Sequence, residues 1–375
     1  MMPLDVVRLW AMARKEAIQL RRDPRSLMLA FLLPVLMILF FGYAITWDVD
    51  DIRISVWDQD RSRESRELLE AFQASGYFIV AEAVEGYGEV EQGLETGRVR
   101  AVLVIPPDFA RNLAARRQTP VQLLLDGADA NTATIVLNYA DAIVAGHSAD
   151  VLLQGRELTP AAEAETRIWY NETLESRNMV VPGLIAVIMS IIAAMLTSLT
   201  IAREWERGTM EQLAATPVRA LEIVLGKLLP YLAIGLFDVA MTVAVGVWVF
   251  GVPFRGSLLL LAGMSFLFLV GALGVGIFIS AVAGSQVFAM QAAMVATYLP
   301  AVLLSGFLFD IAAMPAVLQA VTFLVPARYF VVVTRGVLLK GVGASVLWPQ
   351  AVLMTVFAVV GLGLATKVFR KEIPT

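Results

Sequence analysis

The sequence predicts an α-helical membrane protein: six transmembrane helices with an α/β extracytoplasmic domain inserted after the first helix. Three observations predict it. The 375 residues are 58% hydrophobic and 17% charged, with mean hydropathy +0.72, whereas soluble domains lie near 45–50% apolar and about 25% charged. Apolar stretches of roughly 20 residues, enough to span a bilayer core as a helix, recur along the chain. Charge is also partitioned: residues 48–177 hold 12 Arg, no Lys and 23 Asp and Glu, a net −11, while the remainder holds 17 basic and 10 acidic residues, a net +7. An acidic block within a basic, apolar chain reads as one large water-exposed insertion. The basic residues flank apolar segments instead of forming a face, which argues against a nucleic-acid partner. With no Cys and a single His, disulfide scaffolds, thiol nucleophiles and the usual zinc sites are excluded.

Taken in order, residues 1–25 predict a cytoplasmic amphipathic interface helix. Over Pro3–Leu20, Leu4, Val7, Ala11 and Ile18 fall on one stripe, with Arg8, Lys15 and Gln19 away from it. This pattern suits the inner membrane surface, basic residues near anionic headgroups. Arg21-Arg22-Asp23-Pro24 ends the helix before the first transmembrane segment, residues 26–47, whose charge-free stretch Ser26–Thr46 is too long for the apolar region of a signal peptide. Pro34 within it is tolerable where neighbouring helices satisfy the freed carbonyl.

Residues 48–177 alternate strand-like and helix-like runs. Strands are expected at Ile52–Trp57, Tyr77–Ala81, Arg100–Ile105 and Val121–Asp126, and helices at Ser65–Ala74, Glu89–Thr96 and around Phe109–Arg116. Asn131–Arg177 reads as largely helical, interrupted at Pro160. The carboxylates at Asp126 and Asp129, or at Asp48, Asp50 and Asp51, lack calcium-loop spacing and read as solvated surface. His147 has no second ligand beside it, and Asn171-Glu172-Thr173 is a sequon of a kind that arises often by chance.

Residues 178–375 predict five further spans, at Met179–Ala202, Leu221–Phe250, Ser257–Ala281, Val287–Leu308 and Ser345–Thr366. Residues 310–340, broken by Pro315, Pro326, Arg328, Arg335 and Lys340, read as outer interfacial or re-entrant helices, a seventh span being the competing reading. Lys and Arg before the first span, in the 203–220 loop and after the last span put both termini in the cytoplasm and the insertion outside. Arg328, Arg335 and Lys340 run against that bias. Gly271, Gly274 and Gly276, with Ala272-x-x-x-Gly276, allow close helix approach within a bundle or at a dimer seam. Asp238, deep in the third span, is the clearest intramembrane ionisable residue: a proton relay, or an interior carboxylate that is neutral or hydrogen-bonded.

Nucleotide hydrolysis has no recognisable motif. Gly226-Lys227 is followed by Leu228 and lacks the upstream glycine of a P-loop, and there is no GxSxG elbow. The loop Arg203–Arg219 is instead dense in charge. Gly208 reads as a turn, Thr209 as the N-cap of a short helix with Glu211 in its acidic first turn, and Thr216-Pro217 as its end. A capped helix of this kind suits receiving a push from another protein.

Glu204-x-Glu206-Arg207-Gly208-Thr209-x-Glu211-x-Leu213-x-x-Thr216-Pro217 resembles the cytoplasmic loop of ABC-2 type transporter permeases. The run from Arg14 through Lys15-Glu16 to Arg22-Asp23-Pro24, ahead of Pro34 and Phe41-Gly42-Tyr43, resembles the family's entry. Gly226-Lys227-Leu228-Leu229-Pro230 resembles its third span. Ser305-Gly306-Phe307-Leu308, Met314-Pro315, Pro326-x-Arg328-Tyr329 and Leu338-Leu339-Lys340-Gly341 resemble its last outer segment. Asp310 departs from the pattern, where many members carry proline. The large outer domain resembles the multidrug-efflux-like branch.

The resemblance implies a non-enzymatic permease of the bacterial inner membrane, paired with a second permease copy or paralogue. Each would rest on a subunit of an ABC ATPase dimer, which would bind ATP and magnesium; this chain itself would carry no cofactor. The N-terminal helix and the 203–217 loop would receive the ATPase's movement and drive a drug-like or lipid-like amphiphile outward. A proton-coupled secondary transporter using Asp238, and a membrane-anchored receptor or assembly protein, are the competing functions.

Overall fold

The first helix begins where Asp5 accepts the free N–H groups of Val7 (3.0 Å) and Arg8 (3.4 Å), starting α1 (Val6–Arg21). The structure, a computed structural model, describes residues 5–45, 51–115, 117–128, 130–153, 169–171 and 175–369. It divides into two compact units, Met1–Thr46 with Ile168–Thr375, and Trp47–Arg167. Asp48, Asp50, Asp129, Pro160, Glu172 and Thr173 lie outside the described residues, as does the chain after Phe369.

After α1 come α2 (Pro24–Leu27), a π-helical turn (Met28–Leu32) and α3 (Leu33–Ala44). Pro34 has no N–H to donate, and its ring would crowd the carbonyl four residues back. The chain resolves this by widening the preceding turn, so that the Leu33 N–H reaches back five residues to Met28.

The second unit is a four-stranded sheet with helices on both faces. Its elements are β1 (Ile52–Asp58), α4 (Arg63–Ala74), β2 (Phe78–Ala83), α5 (Tyr87–Glu95), β3 (Ala101–Ile105), α6 (Phe109–Ala114), β4 (Gln122–Leu125) and α7 (Ala130–Leu153). Strand order is β2-β1-β3-β4; β1 runs parallel to both neighbours and β4 antiparallel to β3. The unbroken apolar run of β3 follows from burial on both faces. Ile54, Leu103, Leu68, Phe72 and Phe109 fill one side, and Val102, Val104, Val90 and Val99 the other.

The first unit continues with α8 (Ser176–Glu206), α9 (Met210–Ala214), α10 (Ala220–Trp248), α11 (Leu258–Val282), α12 (Gln286–Leu303), α13 (Ala316–Thr322), α14 (Pro326–Arg335) and α15 (Ala344–Val368). By length and composition α8, α10, α11, α12 and α15 can each cross a membrane. The apolar helix Met28–Ala44 is shorter, and Ala316–Thr322 with Pro326–Lys340 forms a pair bent by 80°. The chain is therefore a helical membrane protein, with five such helices among the described residues, or six if the bent pair is one span. α12 stops at Leu303, short of the expected Leu308, because the chain turns at Ser305 and Gly306.

α8 is the axis of this bundle: almost every residue from Val180 to Glu204 is buried beneath α3, α10, α11, α12 and α14. The glycines of α11 are spent inside it. Gly274 abuts Gly361 of α15, where an added Cβ would lie 3.3 Å from backbone, and Gly276 abuts Thr197 and Ala194 of α8. Thr197 donates to the Leu273 carbonyl (3.1 Å), and Ser280 accepts from the N–H groups of Ile201 and Ala202 (2.9 Å each). Such bonds join helices that gain little hydrophobic drive from lipid.

The bent pair is anchored by the basic residues that ran against the charge bias. Arg335 donates to the carbonyls of Met179 (3.3 Å), Gly306 (3.0 Å) and Phe307 (3.1 Å), and Lys340 lies 5.8 Å from the Tyr170 ring centroid. Asp310, the departure from the family pattern, starts a 3₁₀ turn by accepting from Ala312 N–H at 3.0 Å.

Candidate functional site

The site is assembled where α1, the end of α8 and the start of α10 meet. Gly226 permits the approach: a Cβ there would lie 2.5 Å from Met12 Cβ and 3.1 Å from the Leu9 carbonyl. With α1 seated against α10, Lys227 Nζ comes 2.8 Å from Glu16 Oε2 and 3.3 Å from Glu204 Oε1. Lys15 Nζ approaches Glu204 Oε1 at 2.9 Å, and the Tyr231 hydroxyl donates to Glu16 Oε1 at 3.0 Å. Lys227 is 1% exposed, and Glu16 and Glu204 3% each. The three buried charges, Lys227, Glu16 and Glu204, are each bonded more than once, with half-exposed Lys15 as a fourth partner, which is the condition under which buried charge is tolerable.

A ring of polar contacts, buried at Arg203 and Glu222 and exposed at Glu206, surrounds the cluster. Arg203 pairs with Asp23 (2.9 Å) and donates to Gln286 Oε1 (3.3 Å). Glu206 accepts from the Gln286 backbone N–H (2.6 Å) and side-chain amide. Glu222 accepts from the Asp5 N–H (3.1 Å) and the Arg219 N–H (2.9 Å), and Arg8 donates to the Pro217 carbonyl (2.8 Å). The N-terminal helix is thereby fastened to both ends of the 203–219 loop and, through Arg203, to the starts of the first apolar segment and α12.

The expected site residues divide into two groups. Glu16, Glu204 and Leu213 point inward, and Asp23 and Thr216 are partly covered, while Arg14, Arg22, Pro24, Glu206, Arg207, Gly208, Glu211 and Pro217 are exposed and Lys15 partly so. Thr209 does not cap α9. Its hydroxyl donates to the Glu204 carboxylate and carbonyl, and its backbone is right-handed helical (φ −77, ψ −10), not the extended conformation from which a cap side chain reaches the following N–H groups. Gly208 makes the turn with φ +67, a left-handed conformation costly for other residues. α1 has a second face that the periodicity did not mark. Met12, Ala13, Glu16 and Leu20 face the protein, whereas Val7 and Ile18, with Val6 and Trp10, are exposed.

Sequence reasoning did not mark Tyr231, Gln286 and Glu222 at all, and it read Lys227 as part of the third-span pattern and Arg203 as the start of the loop. The available signal was their polarity at the ends of apolar helices, which reads equally as ordinary flanking charge. Asp238 stands apart from this cluster: it is 1% exposed, and neither carboxylate oxygen has a hydrogen-bond partner among the described residues. Ser265 Oγ on α11 is unpartnered in the same way.

Helices of spanning length gathered around a buried axis, with a polar loop fastened at one end, define a multi-span helical membrane protein. The family model for "ABC-2 family transporter protein" matches residues 24–367. The chain is 37% identical over 362 residues to "Probable multidrug ABC transporter permease YbhS" of Escherichia coli (strain K12), covering 95% of each chain. It is 31% identical over 369 residues to "Probable multidrug ABC transporter permease YbhR" of the same organism, covering 98% of this chain and 99% of the relative. "Inner membrane transport permease YhhJ", also of that organism, is 29% identical over 329 residues, 86% of each chain. The chain belongs to the ABC-2 transporter family.

Proposed function

We propose that this chain is the membrane-spanning subunit of an ATP-driven ABC-2 exporter. It moves a small drug-like or lipid-like amphiphile outward using a separate ATPase subunit, which binds the ATP and magnesium. The observation that carries this reading is the fastening of the 203–219 loop. Glu206, Arg207, Gly208 and Glu211 offer an exposed polar surface, while Glu204 and Lys227 tie the same loop to α1 and α10 through buried ion pairs. A displacement imposed on α9 is therefore delivered to three elements together. In this reading both termini and the loop are cytoplasmic, the sheet-bearing unit lies outside a bacterial inner membrane, and the permease works beside a second copy or paralogue.

The test is gentle purification of the chain with whatever subunit accompanies it, followed by reconstitution in vesicles. A nucleotide-hydrolysing partner is expected. Glu211→Arg, on the exposed face of α9, should leave the permease folded and inserted but remove most ATP-dependent transport. Transport at the normal rate in that variant, or transport by the chain alone without nucleotide, overturns the reading. Asp238 favours a second reading, coupling to protons, since its carboxylate is enclosed and unpartnered. That reading requires nucleotide-free transport abolished by Asp238→Asn.

A further inference from the structure

One part of the α11 small-residue pattern is not consumed by helix packing. Ala272 and Val275 border a groove of about 270 Å³, closed on its other sides by Ala296 and Pro300 of α12 and by Val325 and Ala327 at the bend before α14. The groove runs from the middle of α11 to that bend and opens onto an apolar exterior, where Val321 is 40% and Leu324 74% exposed. Its two hydroxyls are already committed: Ser190 donates to Ala186 O (2.8 Å) and Thr297 to Ala293 O (2.7 Å). Nothing in the lining therefore asks for water. An apolar cavity of roughly 150 Å³ holds one benzene, and drug-sized ligands occupy about 300–1,000 Å³. At about 270 Å³ the groove has room for part of one hydrocarbon chain and lies below the usual drug-sized range.

A cation stands next to the lining residues in the chain, held against Thr322 and Phe323, which lie between the lining residues Val321 and Leu324. Arg328 directly follows the lining residue Ala327, and no carboxylate pairs with it among the described residues. It donates to the Thr322 hydroxyl, and its guanidinium lies 3.9 Å from the Phe323 ring centroid, leaving further N–H donors for an anion. We propose that the groove binds an anionic amphiphile, with part of one hydrocarbon chain between α11, α12 and the bend and a phosphate or carboxylate head at Arg328. The occupant is a resident membrane phospholipid, because the groove opens onto the apolar exterior where Val321 and Leu324 are exposed; an exported molecule's tail is an outcome of the test.

The test is native mass spectrometry of the full-length, delipidated chain, with phosphatidylglycerol or phosphatidylcholine added back. One phosphatidylglycerol should be retained per chain, preferred about fivefold over phosphatidylcholine, the order expected for one arginine at a membrane surface. Ala296→Phe, which fills the groove, should remove the retained lipid, and Ala296→Val should reduce it if the larger side chain compromises folding. Arg328→Gln should keep the lipid and erase the preference. Retention unchanged in both Ala296 variants overturns the site. So does a loss that accompanies dissociation of a dimer, since a second copy then covers the groove. Binding is read without any ATPase, so this result stands or falls apart from the exporter reading. Adding the partner and ATP identifies the source: cargo leaves during turnover, and a resident lipid stays.

Discussion

Replacing Lys227 with methionine tests the buried cluster most directly. The substitution keeps the length and apolar stem of the side chain and deletes one charge. Glu204 retains Lys15 at 2.9 Å, whereas Glu16 is left with only the Tyr231 hydroxyl at 3.0 Å. One buried carboxylate thus loses its cation. Removing one partner of a buried pair costs about 3–5 kcal/mol, because the remaining charge is neither solvated nor matched. Thermal unfolding of the purified permease should show that loss, with α1 more open to protease. Adding Glu16→Gln removes the stranded charge while keeping an acceptor for Tyr231, so the double variant should recover more than half of the deficit. A Lys227→Met protein as stable as the parent, or a double variant less stable than the single, would refute the argument that these charges support one another.

Gly276→Val places a Cβ within 2.6 Å of the Ala194 carbonyl on α8, and the overpacking should cost about 3 kcal/mol or more, visible as loss of monodisperse protein in detergent. Arg335→Gln forfeits the charge-assisted bonds to three carbonyls. Residues 304–340 should then exchange amide hydrogens faster, with local stability lower by about 2–4 kcal/mol; unchanged protection would contradict the anchoring role. Asp238→Leu replaces an enclosed, unpartnered carboxyl and should raise thermal stability by about 2–4 kcal/mol. A fall in stability would mean that the carboxyl has a partner.

The strands and five of the expected spans were legible because their signals are local, while the expected first span, residues 26–47, is the shorter apolar helix Met28–Ala44. β1 was expected at Ile52–Trp57 and lies at Ile52–Asp58, and the last span, expected at Ser345–Thr366, is the helix Ala344–Val368. The ion cluster was not legible, since Glu16 and Lys227 stand 211 residues apart and nothing in either neighbourhood names the other. α1 shows the same limit: Val7 and Ile18 form an apolar stripe by periodicity, yet the protein takes the face bearing Glu16 because Lys227 waits there. Thr209 fits a capping pattern, but its hydroxyl answers to a carboxylate from the preceding helix. Local spacing reveals which residues can cap or pack, and tertiary neighbours decide which of them do.

The enclosure of α8 bears on how the polypeptide is made. A helix with almost no surface left for lipid cannot reach its final surroundings when it leaves the ribosome, because α10, α11, α12 and α14 all follow it in the chain. Its cover by α14 is complete only when synthesis has passed residue 335, and Thr197, Arg203 and Glu204 lack Leu273, Gln286 and Lys227 until those later residues are made. The insertion machinery must accordingly shelter this segment while more than a hundred further residues are translated, and a nascent chain halted after α11 should be a preferred target for membrane quality-control proteases.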